Sequence, residues 1–194
     1  MTIELRLPSK TITKVFVAGV AEALGTQAAL EGGRRARRAY RLVAPWPMYR
    51  LSAAQLRAGH WVGSAKHVSW GCLVLRNTKP TWTAFVGLGR PKYPPAFLDL
   101  GHVDAKRIAQ ILSDLDRRKS VQTNTYELRG LTSPVLTLSA IWLKNLRDDD
   151  DLIYPIRPLP VAKAPEHSAQ ERLRWIATAE AAHKLEEATC ELEG

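Results

Sequence analysis

Apolar positions near the beginning of the chain follow two different spacings. Residues 3–7 alternate between apolar and charged side chains, which predicts a short strand. Apolar residues then recur every four positions, as on one face of a helix: Ile12, Phe16, Val20 and Leu24. With two glycines following at 32–33, this spacing predicts a helix over 13–30. The β-branched start at 11–15 is the argument for a strand instead, and the helix is the favoured alternative.

Two prolines interrupt the next apolar stretch. Because Pro45 and Pro47 lack a backbone donor and restrict the residues before them, residues 41–50 are predicted to be an extended connector between elements. Directly after it, Leu51 starts a predicted short helix with Ser52 as its N-cap.

The middle of the chain predicts a hairpin followed by a loop and a helix. The runs 68–76 and 81–88 are rich in apolar, β-branched and aromatic residues, and the residues between them favour a turn. Residues 89–98 contain three prolines and predict a loop. Asp104 is a suitable cap for an amphipathic helix whose apolar residues are spaced i, i+3, i+4 and i+7: Ile108, Ile111, Leu112 and Leu115.

Three more strands are predicted beyond that helix. Residues 125–131 and 135–143 form the first two, and the second is apolar almost throughout, which predicts a central place in the sheet. Four aspartates at 148–151 predict a solvated turn, because they lack the spacing of a cation-binding loop. The last strand, 152–156, is expected at an edge because prolines follow it.

The C-terminal part differs from the rest. Residues 158–166 are proline-rich and predict a stiff linker. Ser168 and Glu171 form a capping-box pattern at the start of a predicted helix over 169–192, within a C-terminal segment 167–194. Its apolar stripe is thin and alanine-rich, which is typical of a helix that packs on a surface or pairs with another chain: Leu173, Ala177, Ala181, Leu185, Ala188 and Leu192.

These elements predict an α+β protein. We expect an antiparallel sheet of about four to six strands, with helices packed on one face and an appended C-terminal helix. Residues 1–157 would form a single domain, which is long enough to bury its own core.

Charge is distributed unevenly over the 194 residues. The net charge is +9, but residues 1–120 hold 20 Lys and Arg against 7 Asp and Glu, whereas residues 166–194 hold 3 against 7. Such asymmetry indicates charged partners, or an acidic segment that folds back on its own body or on a neighbouring copy. No apolar run is long enough for a membrane helix, and the beginning of the chain lacks the order of a signal peptide. We therefore expect a cytoplasmic protein without membrane insertion.

The most unusual segment is a basic Gly/Arg loop at 32–41. Its arginines can neutralise phosphates or order on an acidic protein surface, and the aromatic residues downstream alternate with basic ones. The candidate binding residues for a protein partner or nucleic acid are Arg34, Arg35, Arg37, Arg38, Arg41, Trp46 and Arg50. The bland alternative is that the arginines are simply solvated and the tryptophans are core.

Few residue patterns in the sequence indicate an enzyme. Cys72 with His60, His67 or His102 is the candidate nucleophile and base, but Cys72 lies in an apolar run that favours a buried, inert thiol. We expect no metal site and no cofactor. The leading hypothesis is a non-enzymatic protein-interaction module, a component or accessory of a larger bacterial assembly, with a protein partner or self-association through the C-terminal helix. The alternative is a nucleic-acid-binding protein that uses the arginine-rich arm and tryptophan stacking.

Overall fold

The computed structural model describes residues 2–30, 40–52, 54–55, 64–102, 104–117, 124–134, 138–147 and 151–156. The basic residues 34–38, the linker 158–166 and the C-terminal segment 167–194 lie outside these ranges. The described elements, in chain order, are β1 (Thr2–Glu4), α1 (Lys10–Leu30), β2 (Tyr40–Arg50), β3 (Lys66–Arg76), β4 (Lys79–Gly87), β5 (Ala96–Gly101), α2 (Ala105–Arg117), β6 (Thr125–Ser133), β7 (Leu138–Asn145) and β8 (Leu152–Pro155).

One mixed, mostly antiparallel sheet contains all eight described strands, more than the four to six expected. Its order is β5-β4-β3-β2-β6-β7-β8, and β1 pairs with β6 beside that path. Two antiparallel groups, β2 to β5 and β6 to β8, are joined by a parallel pairing of β2 with β6. That junction spans only three residue pairs, from Met48–Gly130 to Arg50–Thr132. β1 pairs in parallel with the start of β6, on the same edge of β6 that pairs with β2 farther along the strand.

The two described helices lie on opposite faces of the sheet, so the expectation of helices on one face is wrong. The core row of α1, represented by Phe16, packs with alternate β3 side chains such as Trp70 and Val74. Ile108 and the other core residues of α2 pack with Leu73, which faces the other way. Because β3 is apolar on both faces, each face requires cover. Neither described helix combines the length and apolar character needed to cross a bilayer.

The central strand is the segment that was expected to be a connector. β2 accommodates Pro45 in a bulge, and Pro47 pairs with Trp70 of β3 but precedes the pairing with β6. The register with β3 shifts between Val43 and Trp46, which places Pro45 in a bulge, and Ala44 there has a φ of 47°. Pairing with β6 begins at Met48, after both prolines. A proline-containing strand can therefore occupy the middle of the sheet.

Trp46 fills the core at the point where the two strand groups meet. Its side chain is 1% exposed, and the indole N–H donates to the Met48 sulfur at 3.0 Å. The strands on either side carry glycines: a Cβ on Gly71 would lie 2.6 Å from the indole nitrogen, and one on Gly130 would lie 3.0 Å from the Trp46 Cδ1. The large side chains of β2 therefore require glycine on both neighbouring strands.

Several local predictions are confirmed. The hairpin forms with a turn at Asn77 and Thr78, and Asn77 has a φ of 58°, a conformation that asparagine tolerates. α2, β6, β7 and the edge strand β8 lie close to their predicted sequence positions, but β7 is second from the edge of the sheet and not central as expected. α1 starts earlier than expected, at Lys10, because the Ser9 hydroxyl accepts a hydrogen bond from the backbone N–H of Ile12 at 3.3 Å and caps the helix. The edge strand β5 was not predicted.

Substitution of Gly71 tests this packing. We expect Gly71→Ala to lower the free energy of unfolding by about 1–3 kcal/mol, because the added methyl group overpacks the Trp46 indole. Gly101→Ala is the matched control in β5, where the added Cβ meets only ordinary contacts of 3.6 Å or more. Its stability should be unchanged or higher by up to about 1 kcal/mol. Urea denaturation of both variants makes the comparison, and equal stabilities would contradict this account of Trp46.

Candidate interaction surface

The structure places the described candidate residues in different environments. Arg41 and Arg50 are exposed near the two ends of β2. Trp46 lies in the core, so its indole presents no exposed face on which a ligand could stack. All four tryptophans in the described ranges are buried: Trp46, Trp70, Trp82 and Trp142. The candidate helix-interface residues, from Leu173 to Leu192, lie outside the described ranges.

A group of cations, here called the basic end, lies where β2 begins. Tyr40 pairs with Arg76, and Arg76 pairs across the hairpin with Lys79. Arg41 is the next residue of β2 and points to the opposite face of the sheet from Arg76, and all three cations are exposed. The basic end, Arg41, Arg76 and Lys79, therefore lies at the start of β2, and residues 34–38 precede that strand in the sequence.

A second cation pair lies at the opposite end of the same strands, where Arg50 pairs with Lys66. The three adjoining strands β2, β3 and β4 contain five Lys and Arg and no Asp or Glu, so their cations have no carboxylate on the same strands. Like charges on directly opposite residues destabilise a sheet, by up to about 1 kcal/mol. β3 takes part in two such pairs, Lys66 with Arg50 and Arg76 with Lys79. Their repulsion lowers the stability of the sheet, and binding of an anionic group would relieve it.

An apolar groove, here called the α1–β2 groove, adjoins the same region. It has a volume of about 420 Å³ and is lined by Thr13, Val17, Val20, Ala21, Leu24, Tyr40 and Leu42. Whereas Val20 and Leu24 face the sheet, Val17 is 55% exposed. The groove lies between α1 and the first half of β2, because α1 packs mainly over β4 and β5.

Sequence patterns did not predict the aromatic and charged cluster on the α1 side of the sheet. The Arg129 guanidinium carbon lies 4.9 Å from the ring centres of both Tyr49 and Trp142. Its Nε also donates to Glu127 at 2.9 Å, and both side chains of this ion pair are less than one-fifth exposed. Cross-strand pairing of Arg129 with Trp142 places these two groups on one face of the sheet. Tyr49 lies 80 positions before Arg129 in the sequence and joins them through the pairing of β2 with β6, so no local sequence motif links the three residues.

His67 borders this cluster. Its ring stacks on Tyr49 with ring centres 5.3 Å apart, and its Nε2 donates to the Ser69 carbonyl at 3.1 Å. Burial lowers the pKa of His67 below 6.5, and the positive charges of Arg6 and Arg129 lower it further. The Ser69 hydrogen bond and the Glu127 carboxylate oppose the shift without cancelling it.

Asp151 corrects the expectation of a fully solvated turn. Its carboxylate is buried and accepts hydrogen bonds from the Trp142 indole and the Asn145 backbone N–H, each at 2.9 Å. Lys144 lies 3.2 Å away as its counter-ion. Asp151 therefore stabilises the turn between β7 and β8, and its carboxylate oxygens are both bonded to groups of the protein itself.

The chemistry available for catalysis is limited in the described residues. Cys72 is 2% exposed, and burial raises the pKa of its thiol to about 12. A thiol that stays protonated at neutral pH and has no access to solvent is a poor nucleophile. Within the described ranges, no group of three or more His, Cys, Asp and Glu residues is arranged to hold a metal ion.

The lowered pKa of His67 predicts a pH dependence. Because the unfolded chain binds this proton more readily than the folded chain, stability is fully present above about pH 6.5 and falls as the pH drops through the folded-state pKa. We expect His67→Gln to flatten the decline in the free energy of unfolding between pH 7.5 and about 5. Urea denaturation across this range provides the measurement, and parallel curves for the two proteins would contradict the shift.

Comparison of the chain with protein-family models, with curated proteins and with solved structures gave no match. What this protein does is therefore inferred from its own residues.

Proposed function

We propose that this protein is a non-enzymatic protein-interaction module that binds an acidic surface of a protein partner, as a component or accessory of a larger bacterial assembly. The observation that carries the proposal is the basic end. Three exposed cations lie at one end of strands without a carboxylate, with Arg76 opposite Lys79 and Arg41 on the other face, and the arginine-rich residues 34–38 precede this end in the sequence. Complementary charge gives such a surface fast association and partner selectivity.

A nucleic acid is the alternative partner, and the burial of the described tryptophans argues against the stacking part of that hypothesis. Single-stranded binding without sequence preference normally combines a positive groove with exposed aromatic rings. Trp46 and Trp70 are both in the core, 1% and 5% exposed. Phosphate contacts alone would remain, and these would make binding steeply dependent on salt.

Charge reversal at the basic end tests the proposal. Full-length protein captures its partner from nuclease-treated lysate of the native host, and the purified pair is then measured by titration calorimetry. We expect Arg76→Glu to weaken binding by about tenfold, which corresponds to 1.4 kcal/mol. The same change should leave stability equal or slightly higher, because it removes the repulsion from Lys79.

Arg107→Glu is the matched control, since Arg107 is an exposed arginine on α2 and the change in net charge is the same. Affinity for the purified partner should be unaffected. Equal losses in both variants would mean that only total charge matters. Capture of nucleic acid instead of protein, before nuclease treatment and only at low salt, would replace this proposal with the alternative.

A further inference from the structure

The α1–β2 groove exposes a row of α1 that the sheet does not bury. The core row of α1 faces β3 to β5, but Thr13, Val17 and Ala21 lie beside it and line the groove. Their partners across the groove, Tyr40 and Leu42, are apolar and only partly buried. An apolar surface of this kind, next to a charged one, fits an amphipathic helix.

We propose that the occupant of this groove is the chain's own acidic C-terminal segment, residues 166–194, bound within the same molecule. The proposal goes beyond the function above, because it concerns the groove and not the basic end. Three properties of the chain favour this occupant: the spacing of its apolar residues, its charge and the length of the linker before it.

The apolar spacing of the two surfaces matches. The groove side of α1 extends from Thr13 to Leu24, and the central part of the stripe, from Ala177 to Ala188, has the same length. Each interval is eleven residue steps, which is about 16 Å of helix. Alanines at 177, 181 and 188 keep the stripe narrow, and small side chains permit the close approach that a groove requires.

The charges are complementary. Residues 166–194 hold seven Asp and Glu against three Lys and Arg. α1 carries Lys10 and Lys14 against a single acidic residue, Glu22. Attraction between these surfaces adds orientation to the apolar contact.

The linker is long enough for binding within one molecule. Pro155, Ala140, Leu131 and Tyr49 lie in line across the sheet. Three strand spacings across the sheet, about 14 Å, and seven residues along β2 from Tyr49 back to Leu42, about 23 Å, are perpendicular displacements. The straight-line distance between the end of β8 and the groove is therefore about 28 Å. Residues 157–168 span about 37 Å when extended in a polyproline conformation.

Disulfide trapping in the full-length chain tests the proposal. Cys190 is replaced by Ser, the buried Cys72 is kept, and Val17→Cys is combined in turn with Ala177→Cys, Ala181→Cys and Ala179→Cys. Ala179 is the matched control, because it lies on the side of the predicted helix opposite the stripe. We expect the 177 or 181 pair to form an intramolecular disulfide at least about tenfold faster than the 179 pair, since proximity raises the effective concentration.

Leu98→Cys with Ala181→Cys provides a second control at an exposed site on β5 away from the groove, and it should react slowly. Non-reducing electrophoresis and peptide mass spectrometry distinguish the products. Equal rates for all pairs would overturn the proposal. Disulfide-linked dimers at the 181 position would overturn it in favour of a second copy as the occupant. Because no partner is needed, the result is independent of the fate of the proposed function.

A second readout uses the dye 8-anilinonaphthalene sulfonate, which fluoresces on apolar surfaces. We expect Leu185→Asp to uncover the groove and raise the fluorescence of the full-length protein, and Ala179→Asp to leave it unchanged. If Leu185→Asp folds normally and the fluorescence does not increase, the proposal is contradicted. Circular dichroism establishes that both variants retain the sheet.

Discussion

The indole of Trp46 determines how the two antiparallel groups of strands can join. Trp46 and Met48 extend from β2 over Gly71 on one neighbouring strand and Gly130 on the other. Any side chain at those glycines would compete for the volume that the indole occupies. The parallel junction of β2 with β6 is only three residue pairs long, so this packing, and not an extended ladder of hydrogen bonds, holds the sheet together at its centre.

The placement of the helices divides the sheet into covered and open regions. α2 covers one face, and α1 covers the β3 to β5 part of the other. Two regions of this second face are not covered by α1: the α1–β2 groove and, farther along, the cluster around Arg129. That cluster neutralises its charges internally through Glu127, whereas the basic end has no carboxylate on its own strands. The cations of the basic end are therefore not neutralised within their own strands and can face the anionic groups of a partner.

The sequence predicted those elements whose signals are local. The hairpin, α2 and β8 each have their caps, turns and periodicity within a few residues. The role of β2 depends on a bulge at Pro45 and on glycines in distant strands, so two prolines alone favoured the wrong interpretation. β5 was not predicted because Pro94 and Pro95, directly before it, favoured a loop, and its pairing with β4 has no local sequence signal. For the site, exposure of Arg41 was predictable from its charge, but burial of Trp46 and the grouping of Arg76 with Lys79 required the sheet register.

The short junction between β2 and β6 also bears on how the chain reaches this structure. β3 and β4 meet across a two-residue turn, whereas Met48 and Gly130 are 82 positions apart in sequence. Closing a loop of that length loses more chain entropy than closing any of the hairpins, and only three residue pairs compensate for it. The strand groups on either side can form from local contacts before they meet. The late step in folding is therefore the docking of two partly formed strand groups, which is complete only when the Trp46 indole packs over Gly71 and Gly130.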